Sequence, residues 1–196
     1  MDEVNAKQVM LGPDRIEGWK AIAAAVGVSV TRVRELADPF DTVSVCFSKG
    51  LGAPVGSALA GTAEMIRSAH RLRKVFGGGM RQAGIIAAAA LYALDHHVSR
   101  LADDHRNAQT LARAVEATDG LSLESGPVET NLVWIAVDPT LGTAQEIAAR
   151  LRSEGVLVSA LGPQVIRACT HLDVTGEQAE YAAARLRAVG REALAV

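Results

Sequence analysis

Several things are scarce in this chain. Only two cysteines occur in 196 residues, Cys46 and Cys169, far apart in sequence. That leaves no disulfide framework and no clustered thiolate site for zinc, and it sets a reducing, cytoplasmic compartment as the expectation. Excess charge of one sign is missing too. Twenty basic residues against 22 acidic ones give a formal net charge of −2, so bulk electrostatics offer no pull toward nucleic acid or an anionic membrane. The longest apolar run, Ala83 to Leu94, is alanine-rich and too short to cross ~30 Å of hydrocarbon; it reads as a buried helix. Met1 to Met10 contains acidic residues and no apolar core, unlike a signal peptide. No repeat or low-complexity tract interrupts the chain. His96 and His97 are adjacent and cannot share a helix face, so no metal pair is expected there, and no metal site elsewhere.

What is present is ordinary globular material, 49% apolar and 21% charged. The length suffices for one domain or two small ones. Met1 to Pro13 is polar and lacks a period. From Ile16 to Leu36 the period is helical, with Trp19, Ile22, Ala23 and Val26 at three- and four-residue steps and Gly27 as an interruption. Asp38-Pro39 closes that stretch, because a residue before proline avoids the α region.

Thr42 to Phe47 alternates, Val43, Val45 and Phe47 on one face against Ser44 and Cys46 on the other, and predicts a strand. Ser48 to Pro54 is a turn, and Val55 to Ala60 is expected as the next strand. Thr62 can cap a helix with Met65, Ala69, Leu72 and Phe76 in one stripe and Arg67, Arg71 and Lys74 opposite, a basic face expected to be solvated. Gly77-Gly78-Gly79 ends it. Helices are predicted from about Gln82 past His97 and over Asp104 to Ala117. In the last third, strands over Asn131–Val137, Val156–Ala160 and Val165–Ala168 and helices over Ala144–Glu154 and Gly176–Val189 form a β-α-β-β-α series, a small α+β domain.

Chemistry concentrates in Ser44-Val45-Cys46-Phe47-Ser48-Lys49-Gly50-Leu51-Gly52-Ala53-Pro54-Val55-Gly56-Ser57. A lysine directly after an apolar strand, inside a glycine-rich turn, is an unusual place for a cation. Partial burial there would disfavour its charged form and suit it to Schiff-base chemistry. Gly50, Gly52 and Gly56 would let a planar ring approach the backbone. On these grounds alone an ordinary turn lysine remains open.

Three segments carry a resemblance. Ser48 to Ser57 resembles the cofactor-lysine signature of the low-specificity L-threonine aldolases, nearly letter for letter. Arg71-Leu72-Arg73-Lys74-Val75-Phe76-Gly77-Gly78-Gly79-Met80-Arg81-Gln82-Ala83-Gly84 resembles the glycine-triplet segment of that family. Arg167-Ala168-Cys169-Thr170-His171-Leu172-Asp173-Val174 resembles its substrate-carboxylate segment. The resemblance implies an α/β, aspartate-aminotransferase-like fold with pyridoxal 5'-phosphate as cofactor. Its expected parts are an N-terminal helical segment over 1–40, a truncated large domain over 41–106 and a small α+β C-terminal domain over 107–196. It implies Lys49 as the Schiff-base lysine, Arg81 and Lys74 near the cofactor phosphate, and Arg167 gripping the substrate α-carboxylate. It implies a lyase that cleaves the Cα–Cβ bond of L-threonine or L-allo-threonine to glycine and an aldehyde, with the cofactor as electron sink. It also implies a homo-oligomer, dimer or tetramer, that builds sites across an interface. Arg81 as a helix-start arginine with a surface partner, and Arg167 as a rim charge, stay open beside these roles. His171 is expected to cap or support the closing helix.

The pattern also departs from the family. The matched region corresponds to roughly the second half of a complete member. The phosphate loop and stacking histidine that begin such a member have no room before Lys49. The Asp-Gly-Ala-Arg motif is replaced by Pro13-Asp14-Arg15-Ile16-Glu17-Gly18-Trp19, and no role passes to Asp14. Trp19 to Leu36 resembles a bacterial helix-turn-helix, with Thr31, Arg32 and Arg34 on the recognition helix, or else the family's own helical linker. Three functions therefore stand at this point: a threonine-aldolase-family lyase with weak activity alone, an inactive structural or oligomerisation module, and a helix-turn-helix regulator joined to a cofactor-sensing body.

Overall fold

A computed structural model describes residues 31, 35, 37–124 and 126–193. The chain divides into two compact units, Met1–Leu101 and Ala102–Val196.

In the first unit, strands β1 (Thr42–Cys46) and β2 (Ser57–Gly61) pair antiparallel, from Thr42 opposite Gly61 to Cys46 opposite Ser57. The alternation predicted for β1 is present: Val43 and Val45 are half-buried and Ser44 and Cys46 are exposed. β2 starts later than the expected Val55, which is exposed in the connecting loop, because Gly56 adopts a φ of 118°. Helix α1 (Ala63–Val75) begins where the Thr62 hydroxyl accepts from the Met65 N–H at 3.2 Å. It ends in a Schellman motif: Gly77, at φ 81°, donates to the Lys74 carbonyl and Gly78 to that of Arg73. Helix α2 (Gly84–His96) follows.

The expectation that the alanine-rich run is buried is not met. Within α2 only Ala93 is buried, and Ile85 is 87% exposed. Alanine content favours helix whether or not a partner covers it, so composition carried the helix correctly and its burial incorrectly. α1 likewise buries none of its residues, and Met65, Leu72 and Phe76 of its apolar stripe stand exposed, Phe76 at 82%.

The second unit has a four-stranded antiparallel sheet ordered β3-β4-β6-β5, built from β3 (Leu121–Leu123), β4 (Leu132–Val137), β5 (Ser159–Ala160) and β6 (Val165–Cys169). Helix α3 (Leu101–Glu116) leads into it, α4 (Ala144–Ser153) joins β4 to β5, and α5 (Gly176–Ala193) closes it. Val133, Ile135 and Val137 of β4 and Ile166 and Ala168 of β6 face one core with Leu111 and Val115 of α3, Ile147 and Leu151 of α4, and Ala183 and Leu186 of α5. Each fully buried aliphatic side chain of this kind contributes about 1.5–3 kcal/mol. Thr143 and Glu146 form a reciprocal capping box at the start of α4, and Thr175 and Gln178 do the same before α5. Thr175 therefore caps the closing helix; His171 instead lies 3.3 Å from the Asp173 carboxylate.

β3 was not foreseen, and of the strand expected over Val156–Ala160 only Ser159–Ala160 forms. The series is thus β-β-α-β-β-α rather than β-α-β-β-α. Three-residue β3 is too short to show a period and pairs with residues 12 to 16 positions away.

Candidate functional site

Lys49 sits on the ten-residue loop, Phe47 to Gly56, that joins β1 to β2. The Phe47 N–H donates to the Gly56 carbonyl at 2.9 Å and closes the loop's neck. The Ala53 N–H donates to Phe47 at 2.9 Å and the Gly52 N–H to the Lys49 carbonyl at 2.7 Å. Gly52 needs a φ of 67°, in the left-handed region. Leu51 and Ala53 bury their side chains with Ala93 and Leu101, and Phe47, Leu94 and Val98 pack around them. A Cβ on Gly50 would lie 2.9 Å from Leu101 Cδ2, so the loop approaches this cluster as closely as glycine allows. His97 adds a polar tie, its Nδ1 donating to the Leu51 carbonyl at 2.6 Å. A carbonyl only accepts, so Nδ1 carries the proton.

The Lys49 side chain itself is exposed. The partial burial expected from its apolar neighbours belongs to Leu51 and Ala53, two and four residues further on, which turn inward while Ser48 and Lys49 turn out. The loop is therefore tied through its backbone and exposed at the lysine.

Lys74 lies in the last turn of α1 and Arg81 in the connection to α2; both are exposed. The glycine triplet between them shapes the turn. A Cβ on Gly78 would meet Arg73 Cγ at 3.0 Å, and one on Gly79 would meet Lys74 Cδ at 3.2 Å. Gln82, directly after Arg81, has a φ of 50°, the only non-glycine in the left-handed region among the described residues. Backbone held in that region costs about 1–2 kcal/mol for an ordinary residue.

Arg167 belongs to the second unit, at the middle of β6, where it is directly opposite Trp134 of β4 and Ser159 of β5. Its neighbours Ile166 and Ala168 face the helices, so Arg167 and Trp134 share the other face of the sheet. Its guanidinium carbon lies over the Trp134 ring, 6.0 Å from the centroid. Just beyond the strand, Thr170 is fully buried: its N–H donates to the Asn131 carbonyl and its hydroxyl to the Asp104 carbonyl at 2.6 Å. Asn107 donates to the Val174 carbonyl at 2.9 Å. The end of β6 is thus stitched to α3. Burial pushes the Cys169 thiol up, against the pull of nearby Arg167, so this cysteine is no ready thiolate nucleophile.

Lys49, Lys74 and Arg81 thus stand on three elements of the first unit and Arg167 on the second. Sequence reasoning missed His97, Leu101, Trp134 and Ser159, whose relation to those residues exists only through the fold. No helix among the described residues is long and apolar enough to cross a membrane, and none of them forms a cluster of metal-ligating groups.

The Beta-eliminating lyase family matches residues 18–139. The chain is 41% identical over 168 residues to a probable low-specificity L-threonine aldolase 2 of Arabidopsis thaliana, which covers 85% of this chain and 47% of that protein. Among solved structures, a putative L-allo-threonine aldolase from Listeria monocytogenes EGD-E superposes with a TM-score of 0.67 at 20% identity, over 90% of this chain and 51% of that one. The ornithine delta-aminotransferase of Plasmodium falciparum superposes at 0.58 and 15% identity, over 87% and 44%. The chain spans about half the length of the curated relatives it matches. The matched stretch takes in Trp19 to Leu36, and nothing in these likenesses supports the helix-turn-helix resemblance. That segment lies outside the described residues except for Thr31 and Glu35, which are helical. With part of an aspartate-aminotransferase-like fold and a family match over most of its length, the chain belongs to the beta-eliminating lyase family.

Proposed function

We propose that this chain is the lysine-bearing half of a pyridoxal-phosphate-dependent threonine aldolase, which cleaves the Cα–Cβ bond of L-threonine or L-allo-threonine to glycine and acetaldehyde. The observation that carries the reading is Lys49: an exposed amine on a loop whose backbone is locked from both sides. The residues present fit the cofactor at its two ends. Lys49 would hold its aldehyde carbon, and the exposed cations Lys74 and Arg81, flanking the glycine triplet, would hold its phosphate. When bound, that group supplies an electron sink for the bond being broken.

The chain's own residues bind and orient. Arg167 would take the substrate carboxylate in a bidentate fork, which fixes which substituent on Cα stands in the cleavable position. The rigid loop keeps the Lys49 amine at a constant place while the amino acid enters.

Assembly belongs to the same proposal. The apolar side chains left exposed on α1, α2 and the connection between them, Leu72, Phe76, Met80, Ile85 and Leu91 among them, suit a second copy of the chain, as a dimer or within a tetramer. Cys46 and Cys169 are both free thiols, in keeping with a reducing, cytoplasmic compartment.

The test uses the four lysines of the sequence, Lys7, Lys20, Lys49 and Lys74. Borohydride reduction in the presence of pyridoxal 5'-phosphate, followed by peptide mass mapping, should label Lys49. A label spread evenly over the four lysines would sink the assignment. Acetaldehyde release from L-threonine, abolished by Lys49→Ala, should accompany it. No release distinguishable from that control would favour an inactive structural module instead.

A further inference from the structure

Arg167 is set in the sheet in a way its proposed role does not by itself require. On a strand whose Ile166 and Ala168 point into the core, it occupies the opposite face, which is otherwise apolar or small: Trp134, Ala136 and Val165, with Ser159 beside it. Arg167 as a whole residue is half-buried, and no carboxylate forms an ion pair with it among the described residues. A long side chain with four rotatable bonds in that setting would sample many rotamers. Among the described residues its guanidinium has one ring contact, the indole face of Trp134, its direct cross-strand partner. A planar cation lying on a ring is attracted to the face and keeps its N–H edges pointing outward in the plane.

We infer that Trp134 is a positioning residue for Arg167: the indole serves as a platform that holds the guanidinium flat and presents its N–H edge to a carboxylate. Ser159 bounds the other side of the same cross-strand row. The inference rests on the reading of Arg167 as the group that binds the α-carboxylate. It adds that the affinity for that carboxylate is set by the π face opposite and not by the arginine alone. An unorganised arginine must lose rotamer freedom on binding, so removing the platform should weaken carboxylate binding without abolishing it. An attraction of this size changes affinity by about 5- to 30-fold.

Trp19 and Trp134 are the two tryptophans of the chain, so Trp19→Phe leaves Trp134 as its own reporter. In that background and with pyridoxal 5'-phosphate present, emission should change saturably with L-threonine and not with L-threoninamide, which lacks the carboxylate. Affinity is then measured by calorimetry for Trp134→Phe, which keeps a π face, and Trp134→Leu, which keeps apolar bulk alone. The Phe variant should stay within a few-fold of the parent and the Leu variant should weaken by about 5- to 30-fold, with unchanged circular dichroism. Equal affinities for Phe and Leu, with Arg167→Ala weakened, overturn the platform and leave the carboxylate reading standing. Undiminished binding by Arg167→Ala, or no saturable binding by the parent, overturns both. Should Trp134→Leu fail to fold, Trp134→Phe and the emission titration decide: a Phe variant weakened as much as Arg167→Ala, or an emission indifferent to the carboxylate, overturns the platform.

Discussion

His97 offers the sharpest probe of the Lys49 loop, because one hydrogen bond ties the two across 46 residues of sequence. His97→Leu removes the donor and leaves the Leu51 carbonyl facing a buried cluster of Leu51, Ala53, Ala93 and Leu101. A buried acceptor left without its partner costs about 1–3 kcal/mol. Its effect should be local opening of the loop rather than global unfolding, since the core of the second unit contains neither residue. Through the factor of ten per 1.4 kcal/mol, amides that depend on loop closure should exchange about 5- to 150-fold faster. Those amides are Phe47, Gly52 and Ala53. Hydrogen exchange on the whole chain reads them directly, with the amides of β4 and β6 as internal references. His96→Leu is the control: His96 stacks on Tyr92 with centroids 4.3 Å apart, and its loss should leave the loop amides alone. Unchanged protection in His97→Leu, or equal loss in His96→Leu, would refute the claim that this bond holds the loop.

Three further outcomes follow from the same contacts. The Thr143 backbone N–H, and secondarily its hydroxyl, hold the Glu146 carboxyl below the usual carboxylate range. Stability from this pair is therefore complete above that range and lost as pH falls through it, so Glu146→Gln should flatten the fall in melting temperature between about pH 5 and pH 3; parallel curves would contradict this. At Gly120, φ is 80° and an added Cβ would lie 2.7 Å from Leu141 Cδ1, whereas at Gly155, φ is 81° and nothing lies within 4 Å. Gly155→Ala should cost about 1–2 kcal/mol of backbone strain, and Gly120→Ala about 1–3 kcal/mol more from overpacking; equal losses on thermal melting would refute the packing term. Phe76→Glu should shift sedimentation toward monomer, and an unchanged distribution would remove the α1 face from the interface.

Much of the architecture was legible because its elements announce themselves locally. Thr62 and Thr143 stand three residues before the backbone N–H groups they accept from, and Gly77 stands where α1 must end. β4 and β6 lie in runs of β-branched and apolar residues that mark strands, while the face that turns inward shows only in their burial. Burial was less legible, for a physical reason. A hydrophobic stripe records that a surface suits cover and not what covers it, so Met65, Leu72 and Phe76 read as one face while their exposure is visible only in the fold. The alanine run of α2 has the same ambiguity, since alanine suits a buried helix and an exposed one alike.

The site divides along a similar line. Lys49 was legible because its signature is contiguous: strand, lysine, glycine-rich turn. What holds the lysine's loop in place is not contiguous at all. The loop is locked by His97 and Leu101, from the far end of α2 and the start of α3, and nothing in either residue's neighbourhood marks it as a support. Burial was assigned to the lysine because apolar residues surround it in sequence, yet a tight turn sends successive side chains in different directions. Leu51 and Ala53 went inward and left Lys49 outside. Arg167 repeats the case. Its segment was recognisable as a string, while Trp134 becomes its partner only through antiparallel register, a relation that a shift of one residue would abolish by moving the indole to the helix-covered face. A motif therefore locates the group to which the chemistry is proposed to belong, and the register and packing that hold the group in place have to be read from the fold.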